Sequence, residues 1–328
     1  MTVKAANSRT DWLLFIALSF MWGSSYLFIK IGVNAGLEPF TLIMLRLLFG
    51  VLLIGSVVLA TRERLPRGIG AYVKLTILAF FGIALPFYLI TWAENLPQID
   101  SALASVLTAP TPLFVVPFAA VLLHDERISV NKFLGIIVGL AGVAVLVGFD
   151  PAQIGRGEIV GELALVGACV SYAFAGVFAR KYVTGYRPMI PAFFEVGLAL
   201  VMASVVAFVF ENPLARVTSM PPEAWFAVIW LGIMGSGLAF LVFFRLIKNW
   251  GATRTAMVAY VMPIWGIVLG AVVLGEVIGL DRLSGTALVL AGLALVNVKR
   301  EAIAGLWAGW RSRGAATEAT AEVVTEQR

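Results

Sequence analysis

Apolar and polar positions along this chain are segregated into long blocks. Stretches lacking Asp, Glu, Lys, Arg and His run over 12–29, 47–61, 75–93, 101–123, 133–149, 163–179, 196–210, 224–244, 255–275 and 283–298. A helix rises about 1.5 Å per residue, so roughly 20 apolar residues cross a bilayer. The shorter blocks approach that length by passing one charge into more apolar sequence. Residues 37–45 extend the second through Arg46, and 188–194 extend the seventh through Glu195. Transmembrane strands would alternate polar and apolar residues, and these blocks do not. The pattern predicts an all-α, polytopic membrane bundle of ten transmembrane helices. No connection is long enough to form a soluble domain, so function must reside within the bundle.

Composition and charge add orientation. Hydrophobic residues make up 60% of the 328, and charged residues 13%, about half the roughly 25% of soluble domains. The net charge of +5 matters less than its placement, and nucleic acid is not an expected partner. If the N-terminus is cytoplasmic, nineteen of the 24 Lys and Arg fall on that side. Arg156, Arg216 and Arg282 fall outside, and Lys30 and Arg46 lie within spans. Cytoplasmic connections of membrane proteins carry this excess, so both termini are expected in the cytoplasm, most simply of a bacterial inner membrane. The first block is too long for a cleavable signal peptide and lacks a small-residue cleavage site. Residues 299–328 are polar and rich in Ala, Thr and Glu, which predicts disorder, with Trp307 and Trp310 at the headgroups. A lone cysteine, Cys169, and a lone histidine, His124, leave no disulfide and too few ligands for a zinc or haem site. No cofactor is expected.

The two halves repeat. At an offset of 150 residues Gly135, Leu140, Ala141, Gly142 and Ala144 fall on Gly285, Leu290, Ala291, Gly292 and Ala294. The same offset carries Trp22 to Tyr172, Phe28 to Phe178, Lys30 to Arg180, Gly82 and Ile83 to Gly232 and Ile233, and Glu126 to Glu276. Pro112 meets Pro263 with a slip of one. Five spans per half is an odd number, so the second half is inverted. The expected organisation is an N-terminal segment 1–11, five-helix repeats over 12–149 and 158–298, and a tail. Inverted repeats are a signature of transporters, whose halves exchange conformations.

These pieces resemble the EamA-type, ten-span branch of the drug/metabolite transporter superfamily over about residues 12–298. The matching elements are Trp22-Gly23-Ser24-Ser25 with Lys30, then Arg46, Gly82 to Trp92-Ala93, Pro112, Glu126 and Gly135 to Gly142. Gly232, Pro263, Glu276 and Gly285 repeat the pattern. His124-Asp125-Glu126 stands where a Gly-Glu pair is usual. The resemblance implies a central cavity lined by spans 1, 3, 4, 6, 8 and 9. It also implies transport of small solutes, often export of amino acids or related metabolites.

Candidate residues follow from depth. Arg46 lies near mid-bilayer, and the inverted copy places Glu195 opposite it. Such charges serve a substrate or coupling-ion pathway, or form a structural interhelical pair. Lys30, about 12 Å along its helix from Trp22, either attracts an anionic group or snorkels to the headgroups. Trp22, Ser24, Ser25, Tyr26, Tyr88, Trp92, Asn95, Phe240, Tyr260 and Trp265 are the substrate-binding candidates. Their rings and polar edges suit a mostly apolar metabolite, and the competing role is packing. Gly135-x3-Gly139 and Gly266-x3-Gly270 allow close helix approach, so spans five and ten pack on each other or on a second copy in a homodimer. Glu126 and Glu276 end spans four and nine as capping or interfacial groups. Pro112 and Pro263 free the carbonyls of Thr108 and Ala259 near mid-bilayer and are candidate gating kinks. An intramembrane lipid-modifying enzyme and a non-transporting assembly subunit are the competing classes. HExxH, GxSxG and paired intramembrane aspartates are missing, as is a nucleotide-binding loop.

Overall fold

The computed structural model describes residues 9–63, 65–123, 130–146, 159–183, 186–187, 189–250, 255 and 258–297. The tail and His124, Asp125 and Glu126 lie outside the described residues. Helices occupy the places of all ten apolar blocks. They are α1 (Arg9–Asn34), α2 (Pro39–Thr61), α3 (Ile69–Glu94), α4 (Ser101–Leu122) and α5 (Val130–Leu146) in the first half. The second half holds α6 (Val160–Tyr182), α7 (Met189–Phe210), α8 (Pro222–Phe243, continuing to Trp250), α9 (Val258–Leu274) and α10 (Leu280–Asn297). No described residue lies in a strand. Seven of these helices, α1–α4 and α6–α8, are long and apolar enough to cross a membrane. Large side chains such as Leu52, Leu59, Val121, Phe210 and Val272 are exposed on the outside of the bundle, a surface suited to hydrocarbon rather than water.

The repeats interlock rather than stand side by side. Helix α1 packs along α8 and α9 of the other half, and α6 packs along α3 and α4. Between these groups α2 pairs with α7, and α5 with α10. Glycine makes the last pairing possible. A Cβ on Gly142 would sit 2.6 Å from the Val289 nitrogen and 2.9 Å from the Gly285 carbonyl oxygen, and one on Gly292 would strike the backbone of Gly135 and Gly139. The small-residue face predicted for α5 is thus used up inside the chain. Gly266 and Gly270 are likewise covered, by Ser105 and by Ser101 with Glu276.

Among the described residues, three helices depart from regular α geometry. In α3 the turns over Phe80–Ala84 are π-helical, and in α8 those over Leu231–Leu238 are too. Their hydrogen bonds reach one residue further than in an α-helix. Gly82 and Gly232 fall inside the two stretches, at the positions the repeat aligns. The third departure is in α4, which stops at Thr108 and restarts at Thr111. The break lies at Ala109 and Pro110, and Pro112 sits in the first turn of the new helix. Proline fits there because first-turn N–H groups have no helical partner. The Thr108 carbonyl is taken up by Thr111 Oγ1 at 2.9 Å and by Cys169 Sγ of α6 at 3.4 Å. In α9, by contrast, Pro263 lies within a continuous helix.

Candidate functional site

The interior of the bundle is built around α1. Trp22 on this helix donates Nε1–H to the Gly235 carbonyl in the π stretch of α8, at 3.1 Å. Its ring meets Phe243 at 5.1 Å and Phe240 at 6.0 Å between centroids. Two other tryptophans point back at serines of α1: Trp230 at Ser24, 3.1 Å, and Trp265 at Ser19, 3.0 Å. Ser24 and Ser25 both donate to the Met21 carbonyl at 3.1 Å. The indoles are therefore oriented by hydrogen bonds between helices, and their apolar faces line the α1–α8–α9 contact.

The inverted copy carries the same device. Ser171 on α6 donates to the Phe81 carbonyl in the π stretch of α3, at 2.7 Å. So α1 reaches a π stretch of the second half, and α6 reaches one of the first. The two intramembrane charges obey the same symmetry. Arg46 is 3% exposed. Its Nε donates to Ser236 in the π stretch of α8 at 3.3 Å, and its guanidinium lies 4.0 Å over the Phe87 ring. Glu195 faces the other π stretch, its carboxylate occupying the space a Cβ on Gly82 would need. Arg46 and Glu195 do not form an ion pair with each other.

Above this level a polar string leads outward. Tyr26 and Thr108 share a 2.5 Å hydrogen bond between α1 and α4. One turn further, Lys30 turns inward rather than to the headgroups. Its ammonium donates to the main-chain carbonyls of Glu94 at 2.7 Å, Ile99 at 2.5 Å and Leu96 at 3.5 Å. It thereby ties the last carbonyl of α3, which has no helical partner, and two carbonyls of the following turn to α1. At the rim the Glu276 carboxylate, beyond α9, accepts from Ser101 N at 2.8 Å, Ser101 Oγ at 2.8 Å and Ala102 N at 2.9 Å. Arg282 of α10 pairs with Asp100, which also caps α4 by accepting from Leu103 N at 2.8 Å. The ends of α1, α3, α4, α9 and α10 away from the Lys/Arg-rich connections, the end expected to face outward, are thus tied together and closed by these bonds. Glu276 acts as the capping group expected of it.

Comparison with known proteins places this architecture. A model of the EamA-like transporter family matches residues 11–148 and again 159–298. The chain belongs to the EamA-like transporter family. Its relatives include the uncharacterized transporter YoaV of Bacillus subtilis, 24% identical over 85% of this chain and 93% of that protein. Another is the uncharacterized inner membrane transporter YedA of Escherichia coli K12, 27% identical over 86% of this chain and 88% of that one. A solved crystal structure, 22% identical, superposes with a TM-score of 0.62 over 88% of this chain and 98% of its own, which supports the fold. This EamA-like chain is accordingly an integral membrane protein of a transporter family, not of an enzyme family.

The remaining candidates of this EamA-like protein are spread about. Tyr88 stacks on Phe40 at 4.4 Å, Trp92 is half-buried, and Asn95 is exposed at the outer end. Tyr260 is on α9, with its side chain outside the described residues. An open cleft of about 420 Å³ lies at the opposite, Lys/Arg-rich end, lined by Arg67, Lys74, Tyr182 and Tyr186 among others, away from the polar string. Sequence reasoning missed Ser236, whose hydroxyl receives Arg46, and Glu94. The latter merely ends an uncharged run in the sequence and reads as a boundary.

Proposed function

We propose that this chain is a secondary transporter that exports amino acids or related small metabolites by alternating access. The observation that carries the reading is the interlocked inverted repeat. The first helix of each half is hydrogen-bonded to a π stretch of the other, so a change in one half is coupled to the opposite change in its partner. The outer closure then represents one of the two end states. A zwitterionic substrate suits the interior: Arg46 offers a buried guanidinium for a carboxylate. The rings of Trp22, Phe240 and Trp265 offer apolar faces for a side chain. The proposed location is a bacterial inner membrane with both termini in the cytoplasm.

Purified protein in liposomes loaded with a mixture of amino acids should take up an external radiolabelled amino acid by counterflow, and Arg46→Ala should abolish it. Counterflow equal to that of empty liposomes for every amino acid and dipeptide tested would refute the substrate class. A thermal-shift screen run alongside detects any other ligand, since a bound ligand raises the melting temperature by mass action.

A further inference from the structure

The closed outer end encloses a carboxylate that none of its bonds uses. Glu94 is 0% exposed, and neither carboxylate oxygen has a hydrogen-bond partner. Thr91, one helical turn earlier on the same face of α3, is also fully buried with its hydroxyl unpartnered. Lys30 is adjacent, yet its three N–H donors go to main-chain carbonyls, so no ion pair forms.

None of the neighbouring charges hydrogen-bonds to the Glu94 carboxylate. Arg46 of α2 is held by Ser236 and Phe87, Asp100 of α4 by Arg282 of α10, and Glu276 beyond α9 by Ser101 and Ala102. These, with Lys30 and the Tyr26 phenol of α1, are the titratable groups that face Glu94. From α6, Glu162 in the first turn comes to the same end, next to Gly161, which packs on Leu96 and Ile99. Two of the facing groups are themselves acids. An ionised carboxylate removed from water with no donor is strongly disfavoured, and such a group takes up a proton instead.

We propose that Glu94 is a proton-binding site of the transport cycle, occupied in this outer-closed state and emptied to external water when the outer ends of α4 and α9 part. On opening, water enters and the O–H bond breaks heterolytically. The proton passes to water, and the carboxylate left behind is hydrated and faces the Lys30 ammonium. Closure requires the reverse, uptake of one proton from the outer side. The ligand is a proton, and external acidity drives closure. The inference rests on the alternating-access reading above.

Ser105 of α4 is buried against Gly266 of α9, so Ser105→Cys reports parting of these helices. Its labelling by a membrane-impermeant maleimide in intact cells is measured from about pH 5.5 to about pH 8, a range in which a perturbed carboxyl titrates. Rates are normalised to Asn95→Cys, at an exposed site. Labelling should rise about tenfold with pH. In Glu94→Gln, which mimics the neutral acid, it should stay at the low-pH level throughout, and Glu94→Asp should keep the rise. The same pH dependence in Glu94→Gln as in the parent would overturn the proposal while leaving alternating access standing, and so would a parent that does not respond to pH. Infrared spectroscopy of purified protein in liposomes decides independently of any cysteine variant. The carbonyl band of a protonated carboxylic acid should be present at neutral pH and lost in Glu94→Gln, and its absence from the parent would overturn the assignment.

Discussion

Glu276→Ala tests the outer closure most directly. The carboxylate accepts three hydrogen bonds, two of them from the first N–H groups of α4. Removing it leaves those amides without an acceptor inside the closed rim. Hydrogen bonds to a charged group contribute about 1.5–3 kcal/mol each, and bonds sharing one acceptor do not add. Loss of a helix N-cap alone costs about 0.5–2 kcal/mol. A combined loss of about 2–4 kcal/mol is reasonable, and at 1.4 kcal/mol per decade it moves the closed-to-open ratio by roughly 30- to 1,000-fold. The Ser101 hydroxyl and both amides regain water once the rim opens, so the loss falls mainly on the closed state. Spin labels at Asn95 and Val277, both exposed at the outer end, report the change by double electron–electron resonance. The distance distribution should shift to longer values in Glu276→Ala, and Glu276→Gln should fall between, since an amide oxygen still accepts. An unchanged distribution in a folded Glu276→Ala protein would refute the argument that this carboxylate holds the outer ends together.

Other expectations concern packing and topology. Gly142→Leu should destabilise the protein by about 1–3 kcal/mol, because the added atoms meet the α10 backbone; Gly176→Ala, with nothing within 4 Å, should leave the melting temperature near that of the parent. Trp22→Phe keeps an aromatic ring but removes the N–H that reaches the Gly235 carbonyl, and should lower stability by about 0.5–1.5 kcal/mol, read as a lower melting temperature in detergent. A reporter fused after Lys299 or within 62–67 should read as cytoplasmic, and one between Pro97 and Asp100 as external, with the opposite signal at the last site overturning the proposed orientation.

Much of the architecture was legible because lipid imposes a simple demand: the backbone must satisfy itself, so long uncharged runs become helices. The glycine faces of α5 and α10 were equally readable, since no other residue allows that approach. Less visible was anything that depends on which helix stands opposite. Arg46 and Glu195 occupy matching positions and suggested each other as partners, yet each faces a π stretch of the other half. Pro112 marked span four as broken, and the break falls just before it, at Ala109 and Pro110. Ala109 and Pro110 both keep near-helical torsions, so the break comes from the two proline nitrogens, at 110 and 112, which carry no N–H to continue the helical ladder. Lys30 was placed at the right depth but not toward the carbonyls it caps, because those come from another helix. Among the candidate residues, Trp22 and Trp265 meet partners inside the bundle, while Asn95 stands exposed.

The paired π stretches also carry a record of descent. A π turn holds one residue more than the α turn it replaces, so it marks a place where a helix is one residue longer than regular winding requires. Among the described residues this chain has such a place twice, around Gly82 and around Gly232, at positions that correspond between the halves. Separate insertions would have had to fall at the same point in two helices by coincidence. A single event in an ancestral five-helix unit explains both, which makes the extra residue older than the duplication that produced the present chain.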